Sequence, residues 1–132
     1  MIKLKIRVVS SKDEISTLEN NEEMIHLAFR PSNKDIFTLV QRCSDLKAIH
    51  IPTSYKKTIS TSTLMFLEMQ GIALLEGDVW GHRKDINEYY EIKPQIFDRI
   101  ESLKSEGESN DSILNRMGME TRLSKDLLQF LI

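Results

Sequence analysis

Disulfide bonding is excluded first, because Cys43 is the only cysteine among 132 residues. No intrachain bridge can form, and a reducing, cytoplasmic setting is expected. Apolar runs are short. None approaches the roughly 18 residues of a membrane span, and the start, Met1 to Arg7, lacks the apolar core of a signal peptide. A membrane is therefore not an expected partner. Three prolines and five glycines are too few for a low-complexity linker. Net charge is −2, so no general basic excess steers the chain towards nucleic acid, and any such binding must come from a local patch. Phosphate loops of the G-x-x-x-x-G-K-S/T or G-x-G-x-x-G type are absent, which disfavours a nucleotide-hydrolysing machine. His26, His50 and His82 have no metal-ligand spacing and no cysteine pair to support them, so neither a metal nor a cofactor is expected.

What remains is an ordinary globular composition, 40% hydrophobic and 29% charged, long enough for one domain with a small appendage. Residues 2–9 alternate apolar (Ile2, Leu4, Ile6, Val8) with Lys3, Lys5 and Arg7, the period of a strand with one buried face. Ser11 and Glu14 form a capping-box pattern ahead of Ile15 and Leu18. Met24–Phe29 reads as a second strand. Ser32 is the candidate N-cap of a helix whose Ile36, Leu39, Val40 and Cys43 make an amphipathic stripe, with Cys43 a core residue. Leu46–Ile51 is a third strand, stopped by Pro52. A helix starting within Thr58–Ser62 and running to Gln70 is apolar nearly all round and should be well buried. Ile72–Leu75 is a fourth strand. If the spacing of the corners sets the register, the Lys3, Lys5 and Arg7 face continues as His26 with Ala28 and Ala48 with His50. The sheet would then be half-polar on that face, to be covered by the C-terminal helices or a partner.

These units predict an α/β fold over residues 1–92: a small parallel four-stranded sheet of β–α units, two-layered, Rossmann-like or short leucine-rich-like. Each strand leads into a basic corner, with Lys12, Lys34, Lys57 and Lys84 spaced by 22, 23 and 27 residues. In a parallel sheet the corners share the C-terminal edge, where open α/β folds bind ligands. They bring Lys12, Arg30, Lys34, Lys56, Lys57, His82, Arg83 and Lys84 to one side, with Ser32 and helix N-termini adding donors. An anion is the natural ligand. Tyr55 and Trp80 on the same rim are candidates to stack on a base; the alternative for Trp80 is a core plug.

Residues 93–132 read as a helical segment. Pro94 opens a helix with Ile96, Phe97, Ile100 and Leu103, and Ser109 caps a second carrying Ile113, Leu114 and Met117. Gly118 is the expected turn, and a last helix starts near Thr121 with Leu123, Leu127, Leu128 and Leu131. The spacing is helix-turn-helix-like, and Arg122, Lys125 and Gln129 are the DNA-contact candidates. Two features depart from that pattern: large Leu114 in mid-helix, and an acidic balance from Pro94 onward. The apolar end, Leu127 to Ile132, points to a homodimer.

The runs His26-Leu27-Ala28-Phe29-Arg30-Pro31-Ser32-Asn33-Lys34-Asp35, Ile51-Pro52-Thr53-Ser54-Tyr55-Lys56-Lys57 and Leu75-Glu76-Gly77-Asp78-Val79-Trp80-Gly81-His82-Arg83-Lys84-Asp85 resemble a family of small archaeal proteins of unknown function found in methanogens. The resemblance covers most of residues 2–92. It implies a cytoplasmic archaeal protein and brings no activity or site residue. The residues thus point to a regulator that binds nucleic acid through its corners, its helix-turn-helix-like unit or both. The alternative is a sensor or enzyme for a small phosphorylated ligand or nucleotide at the sheet edge. Asp78, His82 and Lys84 can form an acid–base set, but no carboxylate pair or nucleophile elbow names a reaction.

Overall fold

The computed structural model describes residues 4–79 and 88–132. Trp80, His82, Arg83 and Lys84 therefore lie outside the described residues. Strands β1 (Leu4–Val9), β2 (Met24–Leu27), β3 (Ala48–Ile51) and β4 (Ala73–Glu76) are joined in parallel. The segment Tyr89–Ile92, ambiguous between helix and strand in the sequence, is β5. It pairs antiparallel with β1, so among the described residues the sheet has five strands in the order β4-β3-β2-β1-β5. Its Tyr and Ile residues suit a pleated, half-buried surface.

The connections are a 3-10 helix (Lys12–Thr17), α1 (Asn33–Arg42), and the pair α2 (Thr53–Lys56) and α3 (Thr61–Met69). All pack on one face of the sheet. There Ile15, Leu18, Ile36, Leu39, Cys43, Ile59 and Leu67 meet Val9, Ile25, Leu27, Ile49 and Ile51. Cys43 is buried as expected, and burial, with Glu22 adding to it, pushes its thiol up to about 11. The α/β unit by itself has these two layers. The C-terminal helices α4 (Pro94–Ser105), α5 (Asn110–Thr121) and α6 (Lys125–Leu131) cover the opposite face. Their Ile100, Leu103, Ile113, Met117, Leu127 and Leu128 close over Ile6, Met24, Ala48, Leu75 and Ile92.

Three sequence expectations are corrected. First, α3 is not buried all round: Met65 is 58% and Met69 82% exposed, and Leu67 is the apolar side chain it buries fully. As an outer-layer helix it needs only one contact stripe; its outer side chains join Phe37, whose ring lies 4.4 Å from that of Phe66. Second, the histidines do not share the cationic face of β1. Val8 pairs with His26 and His26 with His50, which puts both under the C-terminal helices beside Ile6. Because side chains alternate with period 2, a one-residue change of register moves a whole set to the other face. Arg7 therefore lies on the opposite face. It is 9% exposed, paired with Glu88 at 3.4 Å and set over the Tyr89 ring. Third, Gly118 lies inside α5, and the chain turns at Arg122 instead.

Candidate nucleic-acid interface

The three C-terminal helices are each begun by a local device. Proline stands at the first turn of α4, where its missing N–H costs nothing. Ser109 accepts the Ser112 N–H at 3.2 Å and Ser124 the Leu127 N–H at 3.2 Å, capping α5 and α6. Arg122 ends α5 in the left-handed conformation at φ 62°, with its N–H donating to the Gly118 carbonyl at 3.1 Å. That position usually takes glycine. A two-residue link, Leu123 and Ser124, then leads into α6. The turn between the second and third helices is thus Arg122–Ser124, four residues later than the sequence suggests.

The start of α6 is anchored on the ends of β3 and β4. Ser124 Oγ lies 3.0 Å from His50 Nε2, and His50 Nδ1 lies 2.8 Å from His26 Nδ1. Each ring nitrogen can donate or accept, so the tautomers of the two rings set the polarity of this chain of three. Burial, reinforced by His26, lowers the His50 pKa to about 4, so the ring is neutral at pH 7. The Asp126 carboxylate accepts the Glu76 N–H at 2.9 Å on the open edge of β4. Gly77 leaves no gap: a Cβ there would lie 2.2 Å from Ser124 Cβ and 2.8 Å from His50 Nε2.

With Ser124, Leu127 and Leu128 facing inward, α6 presents Lys125 and Gln129 to solvent, and Arg122 is exposed beside them. The acidic balance of the segment is partly consumed within it. Arg99 pairs with Glu120 at 3.2 Å, Arg116 with Glu108 at 3.7 Å and Lys104 with Glu101 at 3.9 Å. Arg122 and Lys125 make no ion pair among the described residues. Among the described residues, the free cations within α4 to α6 and the turns between them are therefore the two at the α5–α6 turn. The apolar tail is largely used inside the chain: Leu127 and Leu128 are buried and Leu131 and Ile132 pack on the same core, leaving Phe130 exposed.

The basic corners converge only in part. Lys12, Arg30, Ser32 and Lys34 line one cavity of about 520 Å³ between the 3-10 helix and α1. Tyr55 carries the Arg30 guanidinium over its ring at 5.6 Å, so that face is occupied. Lys56 is tied to Glu76 at 3.2 Å, and Lys57 is exposed at the end of α2, away from the cavity lining. The sequence reading missed the His26–His50–Ser124 chain. The available signal was two histidines 24 residues apart in equivalent strand positions, together with the Ser-Lys-Asp-Leu start of α6.

Family models match both parts of the chain. Residues 5–88 match the N-terminal domain of a family of unknown function (DUF1699), and residues 95–132 match the C-terminal HTH domain of the same family. No curated protein and no solved structure matches.

Proposed function

The chain belongs to the DUF1699 family, and from that premise we propose that it is a non-enzymatic regulator that binds nucleic acid through its C-terminal helix-turn-helix unit. The observation that carries this reading is the pair Arg122 and Lys125. They are exposed, free of ion pairs among the described residues and adjacent at the start of the helix that in such units enters the major groove. Gln129, one turn on, adds an amide able to read an adenine edge. The anchoring of Ser124 and Asp126 on the sheet supports this assignment, since it turns Lys125 and Gln129 outward and holds them on a rigid base. A regulatory role without catalysis fits a thiol pushed up to about 11 and a His50 engaged in the packing of α6.

In this proposal the protein acts as a homodimer in the cytoplasm of an archaeal cell. Two free cations in each helix-turn-helix turn give few phosphate contacts, and a second copy doubles them. The test is electrophoretic mobility of duplex DNA and of RNA at several salt concentrations. Each phosphate contact contributes about −0.9 to the log–log salt slope, so roughly −2 per protomer is expected. Arg122→Ala/Lys125→Ala should abolish the shift, and Lys56→Ala/Lys57→Ala should leave it in place. No shift with either nucleic acid at low salt would refute the reading, and sedimentation of the free protein as a monomer at micromolar concentration would refute the dimer.

A further inference from the structure

The cavity between the 3-10 helix and α1 has a composition that the DNA reading does not use. Its volume, about 520 Å³, is within the range of small-molecule sites. Three cations reach it from three separate pieces of chain: Lys12 opens the 3-10 helix, Arg30 follows β2, and Lys34 lies in the first turn of α1. None of the three makes an ion pair among the described residues. The carboxylate on the rim, Asp35, is already engaged, accepting the Ser32 N–H at 2.9 Å as half of the α1 capping box. In a chain of net charge −2, three cations against one carboxylate leave this pocket net positive. Arg30 is also held in place, because Tyr55 packs beneath its guanidinium. A positioned fork of N–H donors suits a phosphate better than it suits a halide or a single carboxylate oxygen.

The rest of the lining narrows the ligand further. Ser16 and Thr38 each donate their hydroxyl hydrogen to a backbone carbonyl, of Asp13 at 3.0 Å and of Lys34 at 2.9 Å. Their oxygen lone pairs are left to accept hydrogen bonds from a ligand. Ile15 supplies an apolar patch, and no aromatic ring is among the lining residues. A nucleobase entering here would find no aromatic ring to stack on. From the three cations and the two accepting hydroxyls together we infer that this cavity binds a small hydroxylated phosphate ester, of the polyol-phosphate or sugar-phosphate class. This inference is independent of the nucleic-acid reading.

The test is calorimetric titration of the full chain with glycerol phosphate, ribose phosphate, adenosine monophosphate and inorganic phosphate at constant ionic strength. Saturable binding of the two hydroxylated esters is expected, tighter than that of inorganic phosphate. It should weaken at least about tenfold, the loss of one or more charge-assisted hydrogen bonds, in Arg30→Gln and in Lys12→Ala/Lys34→Ala. Lys57→Ala, outside the lining, should bind as the parent does. These are exposed positions, and the melting temperature of each variant checks its fold. Absence of saturation by either ester up to ~10 mM, which corresponds to a Kd weaker than ordinary ligand binding, would overturn the inference. So would equal weakening by Lys57→Ala, or binding of adenosine monophosphate that free adenosine displaces. Mobility shifts measured without ester report on the helix-turn-helix alone, so either reading can fail without the other.

Discussion

His50 Nε2 lies 3.0 Å from Ser124 Oγ, which makes the cap of the last helix also its point of attachment to the sheet. His50 is fully buried, and the groups that face it electrostatically are His26, Asp78 and Asp126. Its folded pKa of about 4 lies below the ordinary 6.5 because burial, and then His26, penalises the charged ring. Between these values the unfolded chain binds more protons, so stability rises with pH across this window. The contribution is complete above 6.5 and falls as pH drops towards 4, by roughly 3 kcal/mol at about 1.4 kcal/mol per unit. Urea unfolding at pH 7, 5.5 and 4 measures it. His50→Gln should show a flatter acid limb than the parent; an equally steep limb in both would remove His50 as the cause.

The seat of α6 gives a prediction in which two glycines move stability in opposite directions. In Gly77→Ala the new methyl meets Ser124 Cβ at 2.2 Å and His50 Nε2 at 2.8 Å, at a backbone φ of 150° that L side chains rarely adopt. Neither neighbour is a flexible chain end, so a loss of about 3 kcal/mol is expected. Gly118 is inside α5, and a Cβ there has nothing within 4 Å outside its own helix backbone. Gly118→Ala should stabilise by about 1 kcal/mol through helix propensity alone. Denaturant midpoints at neutral pH check both signs.

Cys43 closes the buried end of α1 and is 1% exposed. With its thiol pushed up to about 11, the nucleophilic thiolate is scarce at pH 8. A disulfide reagent should label the native protein only as fast as it unfolds, and stoichiometrically in denaturant. Fast labelling without denaturant would mean that the α1 end opens locally.

Asp126 has a role on an open sheet edge. Its carboxylate accepts the Glu76 N–H of β4, the end strand of the sheet. Free edge groups are templates for pairing with another chain. Asp126→Ala should therefore cost about 1–2 kcal/mol for the unpaired donor and raise self-association, measured by sedimentation. Unchanged association would mean that α6 covers the edge by bulk alone.

Elements were legible wherever local chemistry was strong. The alternation in Leu4–Val9, the Ser32–Asp35 box and the Ile36, Leu39 stripe each specify their own geometry. Register was not legible, because the pairing of Val8 with His26 depends on how the chain closes over the 3-10 helix. The corner spacing carried no information about that closure. The burial of α3 was misjudged for a related reason: composition cannot tell an inner helix from an outer one, and Met65 and Met69 are tolerated at the surface. Of the candidate site, Lys12, Arg30, Ser32 and Lys34 do line one cavity. The position of the α5–α6 turn was hidden because an arginine occupies a glycine-type conformation there.

That arginine allows fold and function to be separated at one position. Arg122 holds φ 62°, the one non-glycine residue with positive φ among the described residues. A Cβ in this region costs about 1–2 kcal/mol, so Arg122→Gly should stabilise the protein by about 1 kcal/mol while removing a cation from the proposed interface. Arg122→Ala removes the same cation and keeps the strain. If the side chain is retained for nucleic-acid binding, both variants lose affinity to the same extent and only the glycine variant melts higher. A glycine variant that melts higher and still shifts DNA as the parent does would place the contact elsewhere, and Lys125 with Gln129 would be the remaining residues of α6 to test. Melting curves and mobility shifts on the two proteins decide the matter without changing any other residue.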